Sequence, residues 1–234
     1  MSDENQIWLS REEARAIDQA AIDELGLTGT LLMENAARGV CDEIRQKYPD
    51  RAPVIVCGPG NNGGDGFALA RQLAARGIIA RLFLTTNGKT LSDDACFNRN
   101  IWLAGGFRVG DGDDVEQLAE ELGTLKRSDL IVDCLLGTGV SSAAREPFAI
   151  IIRDLNRCEA QVLAVDVPSG LDCETGAAEG EAVQADRTVT FVGMKNGFSQ
   201  VTSREFTGDV DVAHIGIPKL WVRTWLERYR SESA

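Results

Sequence analysis

Glycine, asparagine and aspartate fill most of the stretch CGPGNNGGDGF at residues 57–67. Gly58, Gly60 and Gly63 have the spacing G-x-G-x-x-G, which occurs in segments that bind the diphosphate of a dinucleotide. Glycines let a backbone approach a ligand closely, and the start of a following helix offers free N–H groups to an anion. We therefore predict that this segment is a ligand-binding loop, against the alternative of a tight turn without a ligand.

An ordinary dehydrogenase fingerprint also needs an acidic residue about 20 positions further on, where it binds a ribose hydroxyl. The next strand-like run, ARLFLTT at residues 80–86, ends instead in Thr85 and Thr86. This difference counts against an NAD-dependent oxidoreductase of the Rossmann type, which the glycine spacing nevertheless keeps open as an alternative.

Two aspartates stand at the ends of other apolar runs, Asp133 in LIVDC and Asp166 in VLAVD. A carboxylate in such a place is costly to desolvate unless a cation or hydrogen bonds compensate it. Asp133 precedes GTGVSS at 137–142, a second candidate anion-binding loop, but it is also suited to capping a turn. Asp166 precedes the sharp turn PSG and is a candidate acid/base group, metal ligand or turn cap.

Lys195 and Asp172 are further candidates for the same site, whereas His214 is expected to have a structural position. Lys195, in FVGMKNGF, is expected to face carboxylates or phosphates, with a solvated loop position as the alternative. Asp172 is a weaker candidate that can equally be a plain loop acid. His214, the only histidine, is expected in a strand and cannot by itself make a histidine metal cluster.

Apolar runs of strand length alternate with helical patterns along most of the chain, which predicts a parallel sheet covered by helices on both faces. The predicted strands are 53–57, 80–86, 129–137, 161–170, 187–193 and 209–217. The predicted helices are 10–25, 31–48, 65–77, 92–104, 115–122, 146–156 and 218–230. Because the carboxyl ends of parallel strands meet at one edge, the candidate residues should converge there. We predict a single domain, 1–234, with the first two helices as an N-terminal extension.

Composition narrows the class of ligand. The chain has 234 residues and a net charge of -12, which disfavours nucleic acid and anionic membranes as partners. No apolar run reaches the roughly 20 residues of a membrane span, and the acidic start is unlike a signal peptide, so a cytoplasmic location is expected. The six cysteines are scattered without a C-x-x-C pair, so a zinc or disulfide framework finds no support.

Taken together, GPGNNGGDG, VDCLLGTG, AVDVPSG and a later lysine-x-glycine resemble the NAD(P)H-hydrate epimerase family, the YjeF amino-terminal domain. The segment LTGTLLMENAARGV near the start is similar to it as well, and the order and spacing agree across nearly the whole chain. The resemblance implies a Rossmann-like, three-layer αβα fold with a mostly parallel central sheet, and a homodimer. It also implies epimerisation of hydrated NADH and NADPH at the hydroxylated carbon of the nicotinamide ring.

The resemblance further implies a potassium ion (K+), with Asn62, Asp133 and Ser169 as its ligands. Oxygen donors of this kind suit a hard cation. Asp166 is assigned as the acid/base group and Lys195 as a group that stabilises or shuttles charge. The implied substrate contacts are Asn61, Asn62, Gly63, Gly64, Asp65, Gly137, Thr138, Gly139, Val140, Ser141, Ser142, Ala143 and Asp166.

Two departures from the family pattern bear on these expectations. Many relatives carry a second, dehydratase domain, so we expect a separate NAD(P)H-hydrate dehydratase to act with this chain. Relatives often have a proline after the lysine, where this chain has Asn196. A non-catalytic nucleotide-binding or scaffold protein of the same fold stays open as an alternative, because a fold alone does not fix a function.

Overall fold

The computed structural model describes residues 6–139 and 141–232. Its strands are β1 Trp8–Leu9, β2 Val54–Cys57, β3 Arg81–Leu84, β4 Gly110–Asp111, β5 Leu130–Cys134, β6 Gln161–Val165, β7 Arg187–Phe191, β8 Met194–Lys195 and β9 Asp209–Ala213. Seven of these form one parallel sheet in the order β4-β3-β2-β5-β6-β7-β9, and β1 pairs with β8 in a small separate sheet. The prediction of a parallel α/β fold is confirmed.

Helices cover both faces of the large sheet. They are α1 Arg11–Leu25, α2 Gly29–Lys47, α3 Asn61–Ala74, α4 Asp93–Ala104, α5 Val115–Gly123, α6 Phe148–Arg157, α7 Arg204–Thr207 and α8 Lys219–Glu232. Helices α2, α3 and α4 pack on one face, whereas α5 and α6 pack on the other. Within the described residues, no helix is long and apolar enough to cross a membrane.

Strand β2 shows why its residues form an unbroken apolar run. Ile55 and Cys57 pack into the cluster that contains α2, α3 and α4, while Val54 and Val56 pack into the cluster that contains α5 and α6. All four side chains are fully buried. Successive side chains of a strand point to opposite faces, so a strand covered on both sides needs apolar residues throughout.

The sheet order places a switch point between β2 and β5. From β2 the chain moves outward through β3 and β4, and it then returns to β5 on the opposite side of β2. Connections that leave neighbouring strands in opposite directions open a crevice at the carboxyl ends of those strands. The segments after β2 and β5 border that crevice, and both carry the glycine-rich motifs.

The N-terminal segment is joined to the strand that carries Lys195. Leu9 of β1 is the register partner of Lys195 in β8. Helix α1 begins directly afterwards with a capping box, in which the Glu13 amide donates to Ser10 Oγ at 3.0 Å and the Ser10 amide donates to Glu13 Oε2 at 2.8 Å. Arg230 of α8 donates to Glu13 Oε1 at 2.6 Å and fixes the start of the helix from the other side.

Helix α3 begins at Asn61, four residues before the predicted start at Asp65. The G-x-G-x-x-G spacing predicts a ligand-binding loop here, and glycine also has a low helix propensity. Packing overrides that propensity, because a Cβ on Gly63 would overlap the carbonyl oxygen of Gly58, and a Cβ on Gly64 would lie 2.6 Å from the Met33 side chain. The NNGG segment is therefore the first turn of a closely packed helix rather than a loop.

Candidate functional site

A cavity of about 910 Å³ opens at the carboxyl edge of the sheet, and the segments after β2, β5 and β6 line it together with Lys195. Its volume lies within the range of about 300–1,000 Å³ that is typical of small-molecule sites. The predicted site residues that line it are Asn61, Asn62, Asp65, Gly137, Thr138, Gly139, Asp166 and Lys195. The fold thus brings together residues that are spread over more than half of the sequence.

Other predicted substrate contacts do not line this cavity. Gly63 and Gly64 are buried within α3, where they serve close packing. Ser141, Ser142 and Ala143 are exposed and lie outside the cavity walls, and Val140 falls outside the described residues. A direct role of these residues in substrate binding stays a prediction.

Asp166 and Lys195 form an ion pair in the cavity, with 2.8 Å between Oδ1 and Nζ. Lys195 is only 2% exposed, and its ammonium also donates to Thr190 Oγ1 at 2.8 Å. Thr190 in turn donates to Asp166 Oδ1 at 3.2 Å. A buried ammonium is stable only when its donors are satisfied, so this set of contacts fixes both the lysine and the carboxylate.

Two residues near the pair adopt unusual backbone conformations. Asp166 has φ 64° and Val192 has φ 66°, both in the left-handed region that residues other than glycine rarely occupy. Both residues line the cavity. Such conformations cost about 1–3 kcal/mol and are concentrated at functional sites, where the surrounding structure maintains them. The Asp166 backbone is held by a 2.8 Å hydrogen bond from its amide to the Val189 carbonyl.

Three further carboxylates, Asp18, Asp65 and Asp94, line the same cavity. Burial, reinforced by the charges of Asp166, Asp18 and Asp94, raises the pKa of Asp65 well above its usual range. The Asp18 side chain is exposed at the cavity surface, but the protein around it still reduces its hydration. This desolvation and the charge of Asp166 raise the pKa of Asp18 to about 6, while Lys195 acts in the opposite direction. The cavity therefore holds carboxyl groups with different proton affinities.

The three predicted potassium ligands lie together beneath the cavity. Asn62 Nδ2 donates to the Leu136 carbonyl at 2.7 Å, and Ser169 Oγ donates to Asp133 Oδ1 at 2.6 Å while accepting from the Leu136 amide at 2.7 Å. The Ser169 amide donates to Asp133 Oδ2 at 2.8 Å. Asp133, Ser169 and Asn62 are all buried. This polar cluster connects the segments that follow β2, β5 and β6.

Two features of the polar cluster suit a bound cation. The Asn62 Oδ1 atom is buried and has no hydrogen-bond partner among the described residues. Burial raises the pKa of Asp133 to about 6, although the hydrogen bonds from Ser169 and Leu135 act in the opposite direction. The described residues contain no group of three or more His, Cys, Asp or Glu side chains that could hold a metal ion. Any cation here would therefore rest on one carboxylate and neutral oxygens.

The three glycines of the G-x-G-x-x-G spacing differ in how closely other atoms approach them. A Cβ on Gly58 would overlap the Leu135 carbonyl oxygen, and one on Gly63 would overlap the Gly58 carbonyl oxygen. A Cβ on Gly60 would meet nothing within 4 Å. The first and third glycines of the G-x-G-x-x-G spacing therefore allow close backbone packing, whereas Gly60 faces open space at the cavity edge.

Sequence reasoning missed one wall of the cavity, which belongs to α1. Arg15, Asp18, Gln19 and Ile22 line it and recur at the i, i+3, i+4 and i+7 spacing of one helix face. The Arg15 guanidinium comes within 3.4 Å of the position that a Cβ on Gly139 would take. The polar residues beside the buried stripe of α1 are the only sequence signal for this wall, and the apolar stripe by itself predicts the helix without it.

Asp172 and His214 do not line the cavity. Asp172 pairs with Arg11 at 2.7 Å and accepts from the amides of Glu174 and Thr175 at 2.7 and 3.0 Å, so it organises its own turn. His214 lies just after β9 rather than within a strand, and it lines a small pocket that shares Val192 and Ile215 with the cavity.

Residues 29–197 match the family model described as "YjeF-related protein N-terminus". The chain is 38% identical to the "NAD(P)H-hydrate epimerase" of Pirellula staleyi over 89% of this chain and 92% of that protein. It is 36% identical to the "Bifunctional NAD(P)H-hydrate repair enzyme Nnr" of Escherichia coli over 97% of this chain and 43% of that protein. The crystal structure of yeast ynu0 has the same fold, with a TM-score of 0.74 at 23% identity over 89% of this chain and 87% of that one.

Proposed function

Because the chain belongs to the family of the YjeF-related protein N-terminus, we propose that it is an NAD(P)H-hydrate epimerase, an isomerase that interconverts the R and S epimers of hydrated NADH and NADPH. Relatives that match it over most of both chains bear that name. The observation that carries the proposal is the ion pair of Asp166 and the buried Lys195 inside a cavity large enough for a nucleotide ligand.

The chemistry requires proton transfer at one carbon of the substrate. In the hydrate, the hydroxyl-bearing carbon adjoins the ring nitrogen, so this group is a hemiaminal. When an acid protonates the hydroxyl, the nitrogen lone pair forms a C=N bond and water leaves. Water then adds to the other face of the ring while a base takes its proton, which gives the opposite epimer.

Asp166 is the residue best placed for proton transfer. Its carboxylate faces the cavity and accepts hydrogen bonds from Lys195 and Thr190, which fix its direction. Lys195 also supplies a positive charge that balances Asp166 when the carboxylate is ionised. The ionised carboxylate serves as a base toward water, and the protonated carboxyl group serves as an acid toward the substrate hydroxyl.

The remaining charges of the cavity suit a dinucleotide. Arg15 and Lys89 line the cavity and are not paired with Asp166. Both side chains are exposed. The start of α3 at Asn61 also presents free amide groups at the cavity edge. We infer that these groups bind the diphosphate of the substrate while its ring reaches Asp166.

The polar cluster beneath the cavity fits a potassium ion, which would supply a positive charge that holds neighbouring segments together. Asn62 Oδ1, the Asp133 carboxylate and Ser169 Oγ would hold it. The orphaned Asn62 oxygen supports this assignment. A single carboxylate with neutral oxygens balances one positive charge, whereas a divalent ion usually draws several carboxylates.

The test is to incubate the hydrates with the purified protein and to follow the R-to-S ratio by chromatography. Faster interconversion than in buffer alone is expected, and an unchanged rate would end the proposal. Calorimetry with ordinary NAD tests the competing oxidoreductase function, for which tight binding and turnover of an alcohol or acid are needed. Cooperation with a separate dehydratase, a homodimeric state and a cytoplasmic location stay predictions.

A further inference from the structure

Epimerisation presents a geometric requirement that Asp166 alone does not meet. The two epimers differ only in which face of the ring carries the hydroxyl, so water leaves from one face and returns to the other. A single carboxylate reaches both faces only if the ring turns over within the cavity. A second proton-transferring group on another wall removes that need.

Resting on the proposed function, we propose that Asp18 of α1 is the second catalytic residue and acts on the ring face opposite to Asp166. Asp18 lines the cavity from the α1 wall, whereas Asp166 follows β6. The family match begins at residue 29, so it does not cover Asp18.

Of the four cavity aspartates, Asp94 and Asp166 are held by partners, whereas Asp18 and Asp65 have none among the described residues, and Asp18 is the one on the α1 wall. Asp94 accepts a 2.8 Å hydrogen bond from Thr30, and Asp166 is paired with Lys195. Asp18 makes no hydrogen bond or ion pair with any described residue, so its carboxyl group is free to meet a substrate. Asp166 and Lys195 are the charged groups that act on the Asp18 carboxyl group, and all three residues line the same cavity.

The position of Asp18 is structurally fixed even though its carboxyl group is unpaired. Leu9 of β1 pairs with Lys195 of β8, and α1 starts at Arg11, two residues after Leu9. The pairing of β1 with β8 therefore fixes the start of the helix relative to the lysine. Ile17 and Ala21 are fully buried on the inner side of α1. Because Asp18 directly follows Ile17, burial of that stripe keeps it at the cavity wall.

The proposed step is balanced in atoms and charge. The Asp18 carboxyl group gives its proton to the hydroxyl oxygen, the C–O bond breaks, and the nitrogen lone pair forms the C=N bond. Water adds to the other face, its proton passes to the Asp166 carboxylate, and the C=N electrons return to nitrogen. Asp166 then loses its proton to solvent and Asp18 regains one, so the net reaction is isomerisation. The reverse direction uses the two groups in exchanged roles.

The test measures epimer conversion and uptake of oxygen from labelled water, starting from each pure epimer. Wild type should convert both, and failure of wild type would refute the proposed function rather than this inference. Asp18→Asn should lose about 100- to 10,000-fold in conversion rate with substrate affinity and thermal midpoint kept. Asp23→Asn, an exposed aspartate on the same helix, is the matched control and should convert normally.

Oxygen exchange separates catalysis from a structural role. Asp166→Asn should still exchange label in one epimer without converting it, because Asp18 can give and recover a proton on its own face. Asp18→Asn combined with Asp166→Asn should lose that exchange. The inference is overturned if Asp18→Asn converts within a few-fold of wild type, if the double variant retains the exchange, or if Asp65→Asn rather than Asp18→Asn causes the loss.

Discussion

The Asp166 residue combines a strained backbone with a side chain whose carboxylate has two partners. Its φ of 64° is maintained while Lys195 and Thr190 hold the carboxylate. Asp166→Asn keeps the size of the side chain and removes its acid/base function. We expect a loss of about 100- to 10,000-fold in rate, with substrate affinity by calorimetry and the thermal midpoint largely retained. A variant within a few-fold of wild type would assign the proton transfer to another residue.

The pKa of Asp18 leads to a pH prediction. Because this pKa is raised to about 6, Asp18 keeps its proton up to about that pH and loses it above. The groups that face it are Asp65, Asp166 and Lys195, with Arg15 one helical turn earlier. For the epimer whose hydroxyl meets Asp18, kcat/KM should fall on the alkaline side of this pKa. Measuring each epimer separately in wild type and Asp18→Asn tests this, since an unchanged alkaline limb in the variant would contradict it.

At the element scale, the first turn of α3 depends on glycines that have no room for a side chain. Gly63→Ala places a methyl group on the Gly58 carbonyl oxygen, so strand β2 and helix α3 must separate. Overpacking of this kind costs about 1–3 kcal/mol or more, which should lower the thermal midpoint by several degrees and weaken substrate binding. Gly60→Ala is the matched control, because its added methyl group meets nothing within 4 Å. Equal effects of the two variants on the thermal midpoint would contradict this account.

Some of the structural elements could be predicted from the sequence and others could not. Asp133 and Asp166 end buried strands, and parallel strands end at one edge, so their convergence followed from the pattern. The early start of α3 did not follow, because it depends on packing between residues distant in sequence. Strands β1 and β8 have two residues each, which is too short for a periodic signal. The role of the α1 wall was missed because apolar periodicity identifies only the buried face of a helix.

At the scale of the whole molecule, the polar cluster of Asn62, Asp133 and Ser169 connects three segments across the sheet edge. If it binds potassium, the thermal midpoint and substrate affinity should be highest in potassium, lower in sodium and lowest in choline at matched ionic strength. Asn62→Ala removes the orphaned oxygen and should abolish most of this difference, whereas Asp23→Asn should retain it. A wild-type protein that responds equally to all three cations would leave Asp133 as a turn cap.

The most direct test of the proposed epimerase function starts from each pure epimer of the hydrate and follows the R-to-S ratio over time. An epimerase changes rates but not the equilibrium, so both time courses should reach the ratio that the hydrates reach in buffer alone. The rate of approach should rise in proportion to the concentration of the wild-type protein and fall sharply with Asp166→Asn. Time courses that match buffer alone at every protein concentration would contradict the account.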